Sequence, residues 1–223
     1  MHRDSRRPGG PGAEPDRAAR EPNGRDIRQP IVRLSLKVVV CDKDGRRLSF
    51  RHQESRSFVI AFLQHLYIAF NASSLAGVVD TGGTSRTVYT PTAVANSFLT
   101  MEAESGTLLG LVVGTGSTAV AITDSALAAL IADGAGAGQL SHGAQTVASI
   151  GGSGASRSFT VQRIFTNNSG AAIVVAETGA HCQSWDTSAA ARTFLLWRDV
   201  LGSTVSVPNL STITVTYTVQ ITV

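Results

Sequence analysis

Three groups of residues have the types and spacing to suggest chemistry, and none completes a site. His181, Cys182 and Asp186 place an imidazole, a thiol and a carboxylate close together, the raw material of a thiol–imidazole pair or a partial metal centre. A metal needs three or four convergent ligands, and neither a Cys-x-x-Cys nor a His-x-x-x-His spacing is present to supply them. The expectation is a solvated loop between Glu177 and Arg192. The run Gly114-Thr115-Gly116-Ser117-Thr118-Ala119 imitates a dinucleotide fingerprint, in which glycines let the backbone approach a pyrophosphate. No βαβ pattern with an acidic residue about 20 positions on accompanies it, so a turn at a sheet edge is expected instead. Gly151-Gly152-Ser153-Gly154 lacks the Gly-x-Ser-x-Gly pattern of a nucleophile elbow and reads as a turn. Glu102 and Glu104 have no partner that suggests acid–base work, and Asp199 beside Arg198 reads as a strand-end charge pair. Arg163 falls on the apolar parity of Phe159, Val161 and Phe165, which calls for a sheet rim, pairing or an interface. The residues therefore predict no catalytic, cofactor-binding or metal-ligating set, no cofactor, and a protein that is not an enzyme.

Charge is unevenly spread. The net value is +3, but residues 1–56 hold 14 basic and 8 acidic side chains, whereas residues 57–223 hold 5 and 8. Such polarity suits attraction between copies or an acidic partner surface. Arg33, Lys37, Arg47 and Arg51 make a basic flank on the first hairpin, yet aromatic interleaving is poor and the signatures of nucleic-acid modules are absent. Nucleic acid is not an expected partner. No apolar run approaches the roughly 18–20 residues of a spanning helix, so no membrane partner is expected either. The first 30 residues carry Arg and Pro where a secretory signal has its apolar stretch, and synthesis in a cytoplasm is the expectation. Cys41 and Cys182 are expected to be free thiols.

The elements that must carry these residues are mostly strands. The 223 residues are 43% hydrophobic but only 16% charged and 6% aromatic, with Thr, Ser, Gly, Ala and Val filling the remainder. That composition suits sheet surfaces, tight turns and subunit contacts. Ile213, Val215, Tyr217, Val219, Ile221 and Val223 share one parity and Thr or Gln the other, a strand with one buried face. Val32, Leu34, Leu36, Val38 and Val40 alternate likewise, and Asp42-Lys43-Asp44-Gly45 turns them into a hairpin. A second short hairpin is expected around Thr81-Gly82-Gly83-Thr84. Further strands are expected at Leu108–Val113, Ser158–Thr166, Ala172–Glu177, Arg192–Arg198 and Val205–Val207, with a turn at Asn167-Asn168-Ser169-Gly170. Phe58, Phe62, Leu66 and Phe70 recur at i+4 and predict a buried helix capped by Ser55 or Ser57. A second helix is predicted over Ser125–Ala132, with Asp124 as N-cap and Asp133-Gly134 as stop.

The fold class is thus mainly β: an antiparallel β-sandwich, jelly-roll or immunoglobulin-like, with one or two inserted helices and an extended N-terminal arm. Residues 1–30, with five prolines, form that Arg/Pro-rich arm. Residues 31–105 hold the hairpin and the helix, and residues 106–223 the sandwich region, with separate cores or a shared one. From Gly106 to Val223 the chain resembles structural proteins of tailed-bacteriophage virions. The segments that carry this are Phe165–Gly179, Phe194–Leu201, Val205–Pro208, Leu210–Tyr217 and Gly114-Thr115-Gly116 with Ala119–Asp124. The resemblance implies a virion component made in the bacterial host cytoplasm, such as a capsid decoration protein or a tail, neck or fibre subunit. Its partners would be copies of itself and major capsid or tail proteins. The alternative is a receptor- or glycan-binding module of a tail fibre or spike, which predicts exposed aromatics around residues 180–191, where Trp185 stands.

Overall fold

The computed structural model describes residues 31–55, 58–71, 74–89 and 103–222. The arm, Ser57, Glu102 and Val223 lie outside them. The described strands are β1 (Ile31–Cys41), β2 (Arg47–Ser55), β3 (Leu75–Val79), β4 (Ser85–Tyr89), β5 (Gly110–Gly114), β6 (Ser141–Val147), β7 (Ser156–Thr166), β8 (Ile173–Asp186), β9 (Ala191–Val207) and β10 (Thr212–Thr222). One helix, α1 (Ile60–Asn71), follows β2.

These strands form two antiparallel sheets, the sandwich that their alternation predicts. The first runs in the order β2-β1-β10-β7-β6. The second is built on β8, with β9 along one edge, β5 and β4 end to end along the other, and β3 beyond β4. Leu34, Leu36, Val38 and Val40 of β1 and Ile213, Val215 and Tyr217 of β10 meet Val113, Val175, Ala180, Phe194 and Trp197 in one hydrophobic cluster. That cluster draws on residues before and after position 105. Along one side the sheets are stitched by side chains: Gln53 donates from Nε2 to the Val200 carbonyl (3.3 Å) and Arg51 donates from Nε to Ser203 Oγ (2.9 Å).

Helix α1 lies beside β9. Its approach is a short added strand, in which Val59 N–H bonds the Leu196 carbonyl at 3.1 Å. Phe58 then stacks on Phe62 (4.3 Å between centroids) and meets Trp197 edge-on (5.9 Å), while His65 packs on Phe194 (4.7 Å). Ser55 ends β2 rather than capping the helix.

The predicted helix over Ser125–Ala132 does not form. Its backbone N–H groups have other partners: Ala128 and Ala129 donate to the Glu177 carboxylate, and Ile131 donates to the Val113 carbonyl (2.9 Å). Tertiary acceptors replace the i−4 carbonyls, and Leu127 fills space above Gly179, where a Cβ would stand 2.7 Å from its Cδ1. The expected loop from Glu177 to Arg192 is likewise not a loop. Most of that stretch is strand, because β8 continues to Asp186 and β9 begins at Ala191. Both faces of β8 are covered, so its polar residues are buried and period-two alternation disappears.

Candidate assembly surface

Arg163, Glu177, His181, Asp186, Arg198 and Asp199 are buried, and their partners belong to the chain. Glu177 is fully buried on the outer side of β8. Its carboxylate accepts N–H groups from Gly116 (3.1 Å), Ala128 (3.2 Å) and Ala129 (2.8 Å), and Nε of Arg198 (2.6 Å). Arg198 also donates to Asp124 (2.8 Å) and to the Thr118 carbonyl (2.9 Å). Burial opposes its charge, but the bonds to Glu177 and Asp124 outweigh burial and raise its pKa. The nucleotide-like glycines serve this clip, since a Cβ at Gly116 would stand 2.6 Å from the Ala128 Cβ. Arg198 is therefore not the partner of Asp199. That residue points the other way, into the space between the sheets, where Tyr217 donates its hydroxyl to it at 2.9 Å. Burial, then the Asp199 charge, pushes the Tyr217 phenol well up.

Of the settings expected from its parity Arg163 takes pairing, with backbone carbonyls in place of a carboxylate. It is completely buried, its hydrogen-bond acceptors are oxygens, and its guanidinium carbon lies 5.7 Å from the Phe165 ring centre. Nε donates to Gly143, Nη1 to the carbonyls of Leu109 and Leu111, and Nη2 to those of Glu104 and Thr107, at 2.6–3.0 Å. A guanidinium has five N–H donors, and here each finds a backbone acceptor. Burial lowers its pKa, partly offset by the Asp133 charge. The arginine fastens the segment before β5 to β7. Cys182 is buried and free, its thiol pushed up to about 12 by desolvation, and Cys41 is half-buried and free. His181 bonds the Leu108 carbonyl through Nδ1 at 2.8 Å. No group of three His, Cys, Asp or Glu side chains able to hold a metal occurs among the described residues. Trp185 sits half-buried in β8, with its indole nitrogen enclosed.

What remains open is a face. On the first sheet the outward residues are Arg33, Ser35, Lys37 and Val39 of β1, Thr212, Thr214, Thr216, Thr218 and Gln220 of β10, and Ser158, Thr160, Gln162 and Ile164 of β7. No described element packs on them. Of the basic flank, Arg33, Lys37 and Arg47 share this side. Lys37 and Arg47 stand over the exposed Phe50 ring at 5.9 and 5.5 Å, and Arg33 lies 4.0 Å from Glu54. Arg51 is on the opposite side, reaching β9, so the basic flank is smaller than the sequence implied. A shallow depression of about 230 Å³ lies between Arg33, Ser35, His52, Glu54, Thr218 and Gln220. Period-two alternation made this face legible, but the enclosure of Glu177, His181 and Asp199 had no signal in it.

Comparison with family models, curated proteins and solved structures gives no match for this chain.

Proposed function

We propose that this protein is a non-enzymatic structural subunit of a phage virion. It decorates a capsid or builds a tail by burying sheet surfaces, with residues 1–30 reaching a neighbouring subunit. The observation that carries the proposal is the outer face of the first sheet: a broad Thr/Ser/Gln surface with exposed Ile164 and Phe50, on a scaffold whose buried charges brace its own loops. Thr-rich, charge-poor sheet faces suit repeated subunit contacts better than free solvent, and the pattern resemblance over Gly106–Val223 points the same way. The test is light scattering on the purified full chain after size exclusion, with the same fractions viewed by electron microscopy. A defined ring, trimer or filament is expected. A monomer that also fails to join particles made by its phage would sink the proposal.

The depression beside Arg33, His52, Glu54 and Gln220 favours a second reading, a receptor- or glycan-binding module, because planar polar groups suit sugar hydroxyls. Deleting residues 1–30 separates the two. An assembly arm predicts loss of attachment, whereas a binding module retains its ligand.

A further inference from the structure

We infer that the outer face of the first sheet is self-complementary and packs on the same face of a second copy, about a twofold axis parallel to β10. This inference rests on the assembly reading above and names the partner of that face.

β10 is the middle strand of five. Rotation by half a turn about an axis along it lays β1 of one copy over β7 of the other and β2 over β6, while every residue keeps its height along the strands. The pairing register then states what meets. One row across the face is Val39–Thr214–Ile164, and the next is Lys37–Thr216–Gln162. Each row reversed and laid on itself is compatible. Val39 covers Ile164, which is 44% exposed in the free chain. The Lys37 ammonium, which can only donate, meets Gln162. The Gln162 amide nitrogen already donates to Thr216 Oγ1 at 2.9 Å, which leaves its carbonyl oxygen as acceptor. Facing sheets cross at about 30°, so the closest contacts gather around Thr216 and Thr218, near the axis.

Charge chooses between the two symmetric arrangements. The outward charges on β1, β2 and β10 are confined to the first two strands, as Arg33, Lys37, Arg47 and Glu54, while the outward residues of β10 and β7 are neutral. A twofold axis across the strands lays β2 on β2 and crowds the cations of both copies. An axis along β10 sets each cation over a neutral strand. Size fits as well: five strands of 7 to 11 residues, at about 4.8 Å between strands and about 3.3 Å per residue, span roughly 780 Å², against about 800 Å² per partner in an ordinary stable interface. Two of the sheet edges are blunted against edge-to-edge pairing. β3 shifts register at Gly77, where φ is 84°, and β6 has its Gln145 N–H engaged by the Ala103 carbonyl (2.8 Å).

The experiment uses the full chain carrying Cys41→Ser. Thr216→Cys is expected to be cross-linked to its copy by a short bifunctional maleimide, which bridges facing sheets about 10 Å apart, and Thr187→Cys, in the turn between β8 and β9, is expected not to be. Gln162→Lys sets a second cation over Lys37 and is expected to weaken the dimer at least ten-fold in sedimentation equilibrium. Adding Lys37→Glu is expected to restore it. Equal cross-linking at 216 and 187, or a dimer indifferent to Gln162→Lys, overturns the inference. If other oligomers persist through both results, the assembly reading survives without this face. A dimer seen only after residues 1–30 are deleted also overturns it, since the chain's own N-terminal residues then cover the face.

Discussion

Glu177 has no acceptor capacity left for a ligand, because three backbone N–H groups and one arginine already converge on it. Burying two charges is costly, and their pairing offsets that cost only when both partners are present. Glu177→Gln leaves the Arg198 guanidinium, 2% exposed, with Asp124 as its remaining carboxylate, and turns an N–H group toward backbone donors. We expect a loss of about 3–5 kcal/mol, seen as a lower midpoint in denaturant unfolding with an unchanged slope. A variant as stable as the parent would show that the clip is ornamental and that the 115–130 segment is held by Leu127 packing alone.

Turns repeat one device that composition only partly reveals. Asp42, Asp80 and Asp186 each stand just before a three-residue hairpin loop and accept the N–H groups two and four residues on. Each is also held by an arginine, Arg46, Arg86 or Arg192. The third loop residue is left-handed in all three: Gly45 (φ 79°), Gly83 (φ 77°) and Ala189 (φ 58°). Only the last carries a Cβ there. The left-handed region costs a side chain about 1–2 kcal/mol, and glycine returns about 0.5–1 kcal/mol of it as backbone entropy. Ala189→Gly is therefore expected to stabilise by about 0.5–1 kcal/mol, raising Tm by about 1–4 °C; a lowered Tm would refute the strain argument. The first turn was readable because Asp-Lys-Asp-Gly is turn chemistry between alternating strands. The third was not, because Asp-Thr-Ser-Ala resembles loop composition and its flanking strands are buried on both faces. The same blindness extended to β6, whose Ser, His, Gly and Gln show no apolar alternation. Gly143 is needed there because a Cβ would stand 2.9 Å from the Ile164 carbonyl oxygen.

Across the whole molecule, buried titratable groups set a window of stability. Desolvation lowers the pKa values of His65, His142 and His181. The unfolded chain then binds protons first, below about pH 6.5, so the stability tied to the neutral rings is complete above that value and lost as pH falls through the folded values. The turn carboxylates add a later acid step. Asp186 is held far down by Ser188 and then Arg192, and Asp80 is lowered because bonds from Arg86 and the turn N–H groups outweigh its burial. Their contribution is present above about pH 3.9 and fails as pH falls further. On the alkaline side the sign reverses. Cys182 holds its proton up to about 12 and Tyr217 well above its ordinary value, so the unfolded chain loses protons first and stability falls above roughly pH 8.5–10. Unfolding free energy measured from pH 4 to 11 is expected to form a plateau near pH 7–8 that declines on both sides. Each buried histidine adds a slope of up to about 1.4 kcal/mol per pH unit within its window. His181→Gln tests the assignment, because it removes one titrating group and is expected to flatten the decline between pH 6.5 and 5. An unchanged slope in that variant would mean that the acid response comes from elsewhere in the fold.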